Sequence, residues 1–131
     1  MGTITFLLAA LIVQAPPPPP SPDATQWERV GEDDIAAVWI DPARLSRQGD
    51  RANSVLRMDM KGELSDGLRV LISHGEIDCR ARMRTVYRME GYRRDGSLIA
   101  VREIPAARRE PYQIGTGPLD NAVFDRVCGA R

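Results

Sequence analysis

The chain has 131 residues, with 18 basic and 18 acidic side chains, so its formal net charge is zero. That length holds one domain, and the charge balance excludes the basic footprint of a general nucleic-acid binder. Lys61 is the single lysine among the basic residues, a composition better explained by an arginine-rich coding bias than by an arginine-specific role.

Residues 4–13 form an almost unbroken apolar run, too short for the roughly 20 residues that cross a bilayer. A short apolar segment followed by a small residue, here Ala15, has the form of a secretory leader, so residues 1–15 are read as a signal peptide. No cysteine follows this leader. The mature chain is therefore expected in the periplasm or outside the cell, with no lipid anchor and no transmembrane segment. Prolines fill positions 16–20, and Ser21 and Pro22 follow. Fixed φ angles and missing N–H donors make residues 16–25 a polyproline-II linker. The folded domain is then 26–131.

Residues 26–30 are a short β-prone piece around Trp27. In 35–41, Ile35, Ala37 and Trp39 alternate with Ala36, Val38 and Ile40, and Asp41-Pro42 stops the strand. Asp41 is placed to cap a helical turn at 42–45, and Gln48-Gly49-Asp50 reads as a turn. Residues 53–61 alternate again: Leu56, Met58 and Met60 point one way, Val55, Arg57, Asp59 and Lys61 the other. Turn residues at 62–67 lead to a strand region at 68–79. Its parity fails, because Val70 and Ile72 fall opposite Ile77 and Cys79. A bulge near His74-Gly75 would restore the register.

Residues 79–89 carry Cys, Ala, Met, Thr, Tyr and Met at odd positions and four arginines at even ones. With a side-chain period of two this predicts one long strand, packed on one face and displaying Arg80, Arg82, Arg84 and Arg88 on the other. Cys79 would lie on the packed face, and the second cysteine, Cys128, closes the chain. Two cysteines in an exported protein are expected to pair. Closing a loop of about 50 residues removes roughly 4 kcal/mol of unfolded-chain freedom in the entropy model.

Asp95-Gly96 is a hairpin signal, and 97–104 returns as a strand. The Pro- and Gly-rich segment 105–118 reads as a loop. Leu119, Val123, Phe124 and Val127 then recur at helical spacing, with Asp120 and Asn121 near the positive end of the helix dipole. Gly129 ends that helix. Short strands followed by one amphipathic helix make an α+β domain, mainly antiparallel β.

Trp27, the Trp39-Ile40-Asp41 strand end, Ile77-Asp78-Cys79 before an Arg/Tyr strand, and the closing Val127-Cys128 together resemble the bacterial surface-adhesin E-like family. The resemblance covers nearly all of the folded part. It implies a curved antiparallel sheet of about six strands, a common size for one domain. The resemblance also implies a C-terminal helix packed on the concave face of that sheet through the disulfide. The family is named for adhesins that bind host matrix proteins from the outer membrane. A tryptophan motif expected before the last helix is missing, with Tyr112 the nearest aromatic residue in 105–118.

Little in the sequence points to catalysis. His74 is the only histidine, and its neighbours Gly75, Glu76 and Asp78 match no metal-ligand spacing. Ser73 and His74, adjacent on a strand, point to opposite faces and cannot act as a nucleophile–base pair. Glu76 and Asp78 share a face, with Arg80 as the expected partner. No phosphate-binding glycine loop or CxxC pair occurs, so no cofactor and no metal are expected. Arg82, Arg84 and Arg88 are the candidate binding residues, able to take a carboxylate, sulfate or phosphate, unless cross-strand acids such as Asp59 and Glu103 neutralise them. The reading is a non-catalytic, exported envelope protein that binds or tethers an anionic or protein ligand. The alternatives are a structural or stress-associated periplasmic protein, or a hydrolase whose site is not recognisable.

Overall fold

The computed structural model describes residues 22–62 and 64–129. The segment read as a signal peptide, 1–15, and residues 16–21 of the segment read as a linker lie outside them. Eight strands are described: β1 (Glu28–Glu32), β2 (Ala36–Ile40), β3 (Ser46–Gln48), β4 (Arg51–Met60), β5 (Leu68–Asp78), β6 (Met83–Arg93), β7 (Leu98–Glu103) and β8 (Tyr112–Gln113). One helix, α1 (Pro118–Phe124), runs into a wider π turn, Asp125–Gly129.

The strands form one antiparallel sheet in the order β1-β2-β4-β5-β6-β7. The two short strands complete it. β2 pairs with β4 from Leu56 to Met60, and β3 takes the remaining end, where Ser46 faces Asn53. In the same way β7 pairs with residues 88–92 of β6, and β8 sets Tyr112 opposite Arg84. Thus six strands form the main path, and residues 105–118 are not a bare loop: they hold a 3₁₀ turn, Ala106–Arg108, and β8.

Local turn chemistry explains the joints. The Asp41 side chain accepts from the Ala43 N–H at the start of the 3₁₀ turn Pro42–Arg44, as a cap should. Gly49 and Gly96 take positive φ in the tight connections before β4 and before β7. Asp78 accepts from the N–H groups of Arg80 and Ala81, which closes the turn from β5 to β6.

That turn corrects the single Arg-rich strand expected over 79–89. Residues 79–82 are turn, Arg82 has a φ of 56°, and β6 begins only at Met83. A second break follows. Pairing with β5 steps from Gly75↔Val86 to His74↔Arg88, leaving Tyr87 as the extra residue. An extra residue inverts parity beyond it, so Arg84 and Arg88 leave the sheet on opposite faces.

The expected bulge near His74-Gly75 is thus present, but its extra residue lies on β6. The β4–β5 register is unbroken. Val70 and Ile72 do point away from Ile77, because both faces of the sheet are covered. On one face Ile40, Ala52, Leu56 and Ile77 pack with Ile114, Val127 and Cys128 beneath the C-terminal helix. On the other, Val55, Val70, Ile72 and Tyr92 pack with Trp27. Trp27 donates its indole N–H to the Pro22 carbonyl at 2.6 Å. Pro22 is buried, so this end of the proline-rich stretch lies against the domain instead of standing off it.

The helix stripe is also in place. Val127 and Cys128 are buried, while Val123 and Phe124 are half-buried against the same core. Cys79, one residue past β5, bonds to Cys128 with 5.6 Å between their Cα atoms. The Cys128 carbonyl accepts from Arg47 at 2.6 Å, which satisfies a helix-end acceptor.

Candidate functional site

The helix roofs a pocket on its face of the sheet, and Arg82 holds that roof down. From the turn before β6, its guanidinium lies 4.4 Å from the centre of the Phe124 ring. It donates to the Gly115 carbonyl at 2.7 Å and to Asn121 Oδ1 at 2.6 Å. These contacts, with the Cys79–Cys128 bond, fix the 114–124 segment over β5 and β6. Arg82 is committed to architecture.

Arg84 sits inside the pocket. It points from β6 toward the helix and is 5% exposed. Its guanidinium lies over Gly75, where a Cβ would come within 3.2 Å of Cζ and Nε and 2.7 Å of the Thr85 carbonyl oxygen. Glycine is therefore required beneath it. Arg84 Nη1 donates to Ser73 Oγ at 3.0 Å and to the Tyr112 hydroxyl at 3.5 Å, and Nη2 donates to the Ser73 carbonyl at 3.3 Å. All three acceptors are neutral. Among the described residues Nε has no partner and is buried, as is the nearby Ser54 Oγ across the sheet from Gly75. Among the described residues no carboxylate forms an ion pair with Arg84. The pocket holds about 120 Å³ and is lined mainly by apolar side chains, including Leu56, Met58, Leu71, Leu119 and Val123. Asp120 and Tyr112, both exposed, stand at its mouth.

Arg88 meets the opposite situation. Its Nε donates to Glu90 Oε1 at 2.9 Å, and it is also ion-paired to Glu103 across the sheet. Glu90, 6% exposed, further accepts from Tyr92 at 3.0 Å and lies 3.0 Å from His74 Nε2. Burial lowers the His74 pKa and outweighs the attraction of Glu90, so the ring is neutral and donates from Nε2. Burial alone would raise the Glu90 pKa, but hydrogen bonds from Arg88, Tyr92 and His74 hold it below its ordinary value. Burial and the neighbouring Glu90 charge push Tyr92 up to about 12. In this cluster Arg88, Glu90, Tyr92 and His74 each have a hydrogen-bond counterpart.

The structure does not bring the three arginines read as one row to a common surface. Arg82 is in a turn, Arg84 is enclosed on the helix face, and Arg88 is paired on the other face. Glu76 bonds to Arg51, not to Arg80. Ser73 and His74 do face opposite ways, one toward Arg84 and the other toward Glu90. Sequence reasoning missed Glu90 and Gly75. Two residues from Arg88, Glu90 shares its strand face by simple alternation, and a glycine inside an apolar strand commonly marks close approach.

The model of the family described as Surface-adhesin protein E matches residues 27–129. No curated protein and no solved structure matches the chain.

Proposed function

Because the chain belongs to the surface-adhesin protein E family, we propose that it is a non-catalytic module of the bacterial cell envelope that binds or tethers another protein. The observation that carries this reading is the span of the match: it runs from Trp27 through Gly129, and so takes in the whole sheet, the helix and the bond between them. The saturated polar network supports a non-catalytic role, since His74, the one histidine, is neutral and engaged by Glu90. A disulfide is at home in an oxidising compartment, which fits residues 1–15 acting as a signal peptide ahead of the proline-rich stretch. Among the described residues no helix is long and apolar enough to cross a membrane. The mature domain is then periplasmic or extracellular. A joint anion patch of Arg82, Arg84 and Arg88 has no part in this reading, because Arg82 lies in the turn before β6 and the bulge at Tyr87 sets Arg84 and Arg88 on opposite faces.

The test expresses the full chain in a bacterium and follows it by fractionation and binding. The reading requires recovery outside the cytoplasm, loss of the leader, an intact disulfide, and saturable binding to at least one immobilised extracellular-matrix protein. Retention in the cytoplasm with two alkylatable thiols would contradict export. Correct export with no retained matrix protein would favour a structural periplasmic role.

A further inference from the structure

We propose that the pocket beneath α1 is a binding site for a small monocarboxylate with an apolar tail, held by Arg84. This goes beyond adhesion: the occupant is a small molecule inside the fold, not a macromolecule on its surface.

A guanidinium is always charged and offers five N–H donors. Arg84 has only neutral acceptors, one of them at 3.5 Å, and its Nε is unpartnered. Buried charges are normally paired, and Arg84 is 5% exposed. On the other face the less buried Arg88 receives two carboxylates. Arg84 receives none among the described residues, although it is the more deeply enclosed of the two and lies against Gly75. The arrangement supplies half of an ion pair.

The pocket defines the other half. A carboxylate matches the planar fork of a guanidinium. One buried arginine balances one negative charge, and Asp120 at the mouth disfavours a second. Phosphate dianions are thereby poorly matched. The remaining walls, with Leu56, Met58, Leu71, Leu119 and Val123, suit a hydrocarbon. A dry apolar cavity of roughly 150 Å³ takes up benzene, so about 120 Å³ suits a chain of a few carbons. Butyrate and hexanoate carry both features.

The experiment titrates the full, disulfide-bonded protein with hexanoate at constant ionic strength. Nitrogen-correlated NMR follows the Arg84 Nε–H resonance and the backbone amides of Tyr112 and Leu119. Hexanamide is the uncharged control and inorganic phosphate the anion without a tail. Hexanoate should give a saturable shift at these positions, with at least tenfold weaker binding for both controls. Arg84→Met, if folded by circular dichroism, should lose the hexanoate preference at least tenfold. Val123→Trp keeps the charge but fills the cavity, and should abolish hexanoate binding. Equal binding of hexanoate and hexanamide would overturn the proposal. So would an unmoved Arg84 resonance at 50-fold more hexanoate than protein, or undiminished binding in Val123→Trp.

Discussion

Arg84 and Arg88 leave the same strand four residues apart and meet opposite environments. Arg88 enters a network in which Glu90 gathers an arginine, a tyrosine and a histidine, with Glu103 completing the ion pairing. Arg84 enters an apolar chamber where hydroxyl and carbonyl oxygens are its acceptors. One inserted residue, Tyr87, makes the difference, because it inverts the facing of everything after it. The contrast separates two uses of an arginine on one strand, Arg84 buried and Arg88 half-buried. On the face that Trp27 helps to cover, charge is neutralised within the fold and serves cohesion. On the helix face it is left uncompensated within a cavity and serves recognition. The covers differ as well: α1 is held over its face by a covalent bond, while the opposite face is closed by side-chain packing around Trp27.

If the helix face depends on its bond, reducing Cys79–Cys128 or replacing both cysteines with serine should have the largest effect. A loss of about 2–5 kcal/mol in denaturant unfolding is expected for a small domain. The amides of α1 should exchange first and the Val70–Tyr92 side of the sheet later. Next comes the charge network. Glu90→Ala removes the acceptor shared by Arg88, Tyr92 and His74 and should cost about 3 kcal/mol, in the range for breaking a buried pair. A loss below about 1 kcal/mol would mean that water replaces the carboxylate readily. The smallest effect is in pH dependence. The His74 pKa is lowered from an ordinary value of 6.5, so the unfolded chain takes up a proton before the folded protein does. Stability is therefore full above 6.5 and falls as the pH drops below it. Glu90, held below its ordinary 4.5, adds a second loss further down. His74→Gln should flatten the stability profile between pH 7 and about 5 and leave the lower step. An unchanged slope would place the titration elsewhere.

What was legible in the sequence was whatever depended on local pattern. Alternation in 36–40 and 53–60, the Asp41 cap, the Asp95-Gly96 hairpin and the apolar stripe ending at Val127 all reflect interactions within a few residues. The Cys79–Cys128 bond was legible because the chain has no other cysteines. Facing across the β6 bulge was not. Simple parity puts Arg80, Arg82, Arg84 and Arg88 in one row, and only pairing with Gly75 on β5 makes Tyr87 the extra residue. β8 was equally hidden, since two residues carry no periodicity and Tyr112 is a strand only because β7 leaves that part of β6 open. The pocket depends on all of these at once: a bulge, a glycine on the neighbouring strand, a short strand and a bridged helix. Its one local sign was Gly75 inside an otherwise apolar strand.

The division between the two arginines is tested most directly by replacing each with methionine and comparing denaturant unfolding at pH 7. Arg88→Met deprives Glu90 and Glu103 of their cation and should cost about 1.5–3 kcal/mol, the range for a hydrogen bond to a charged group. Arg84→Met removes a charge with no carboxylate partner and fills part of an apolar chamber, so stability should stay within about 1 kcal/mol of the parent or rise. A loss at Arg84 equal to or greater than that at Arg88 would contradict the account, because it would make Arg84 a structural member of the core.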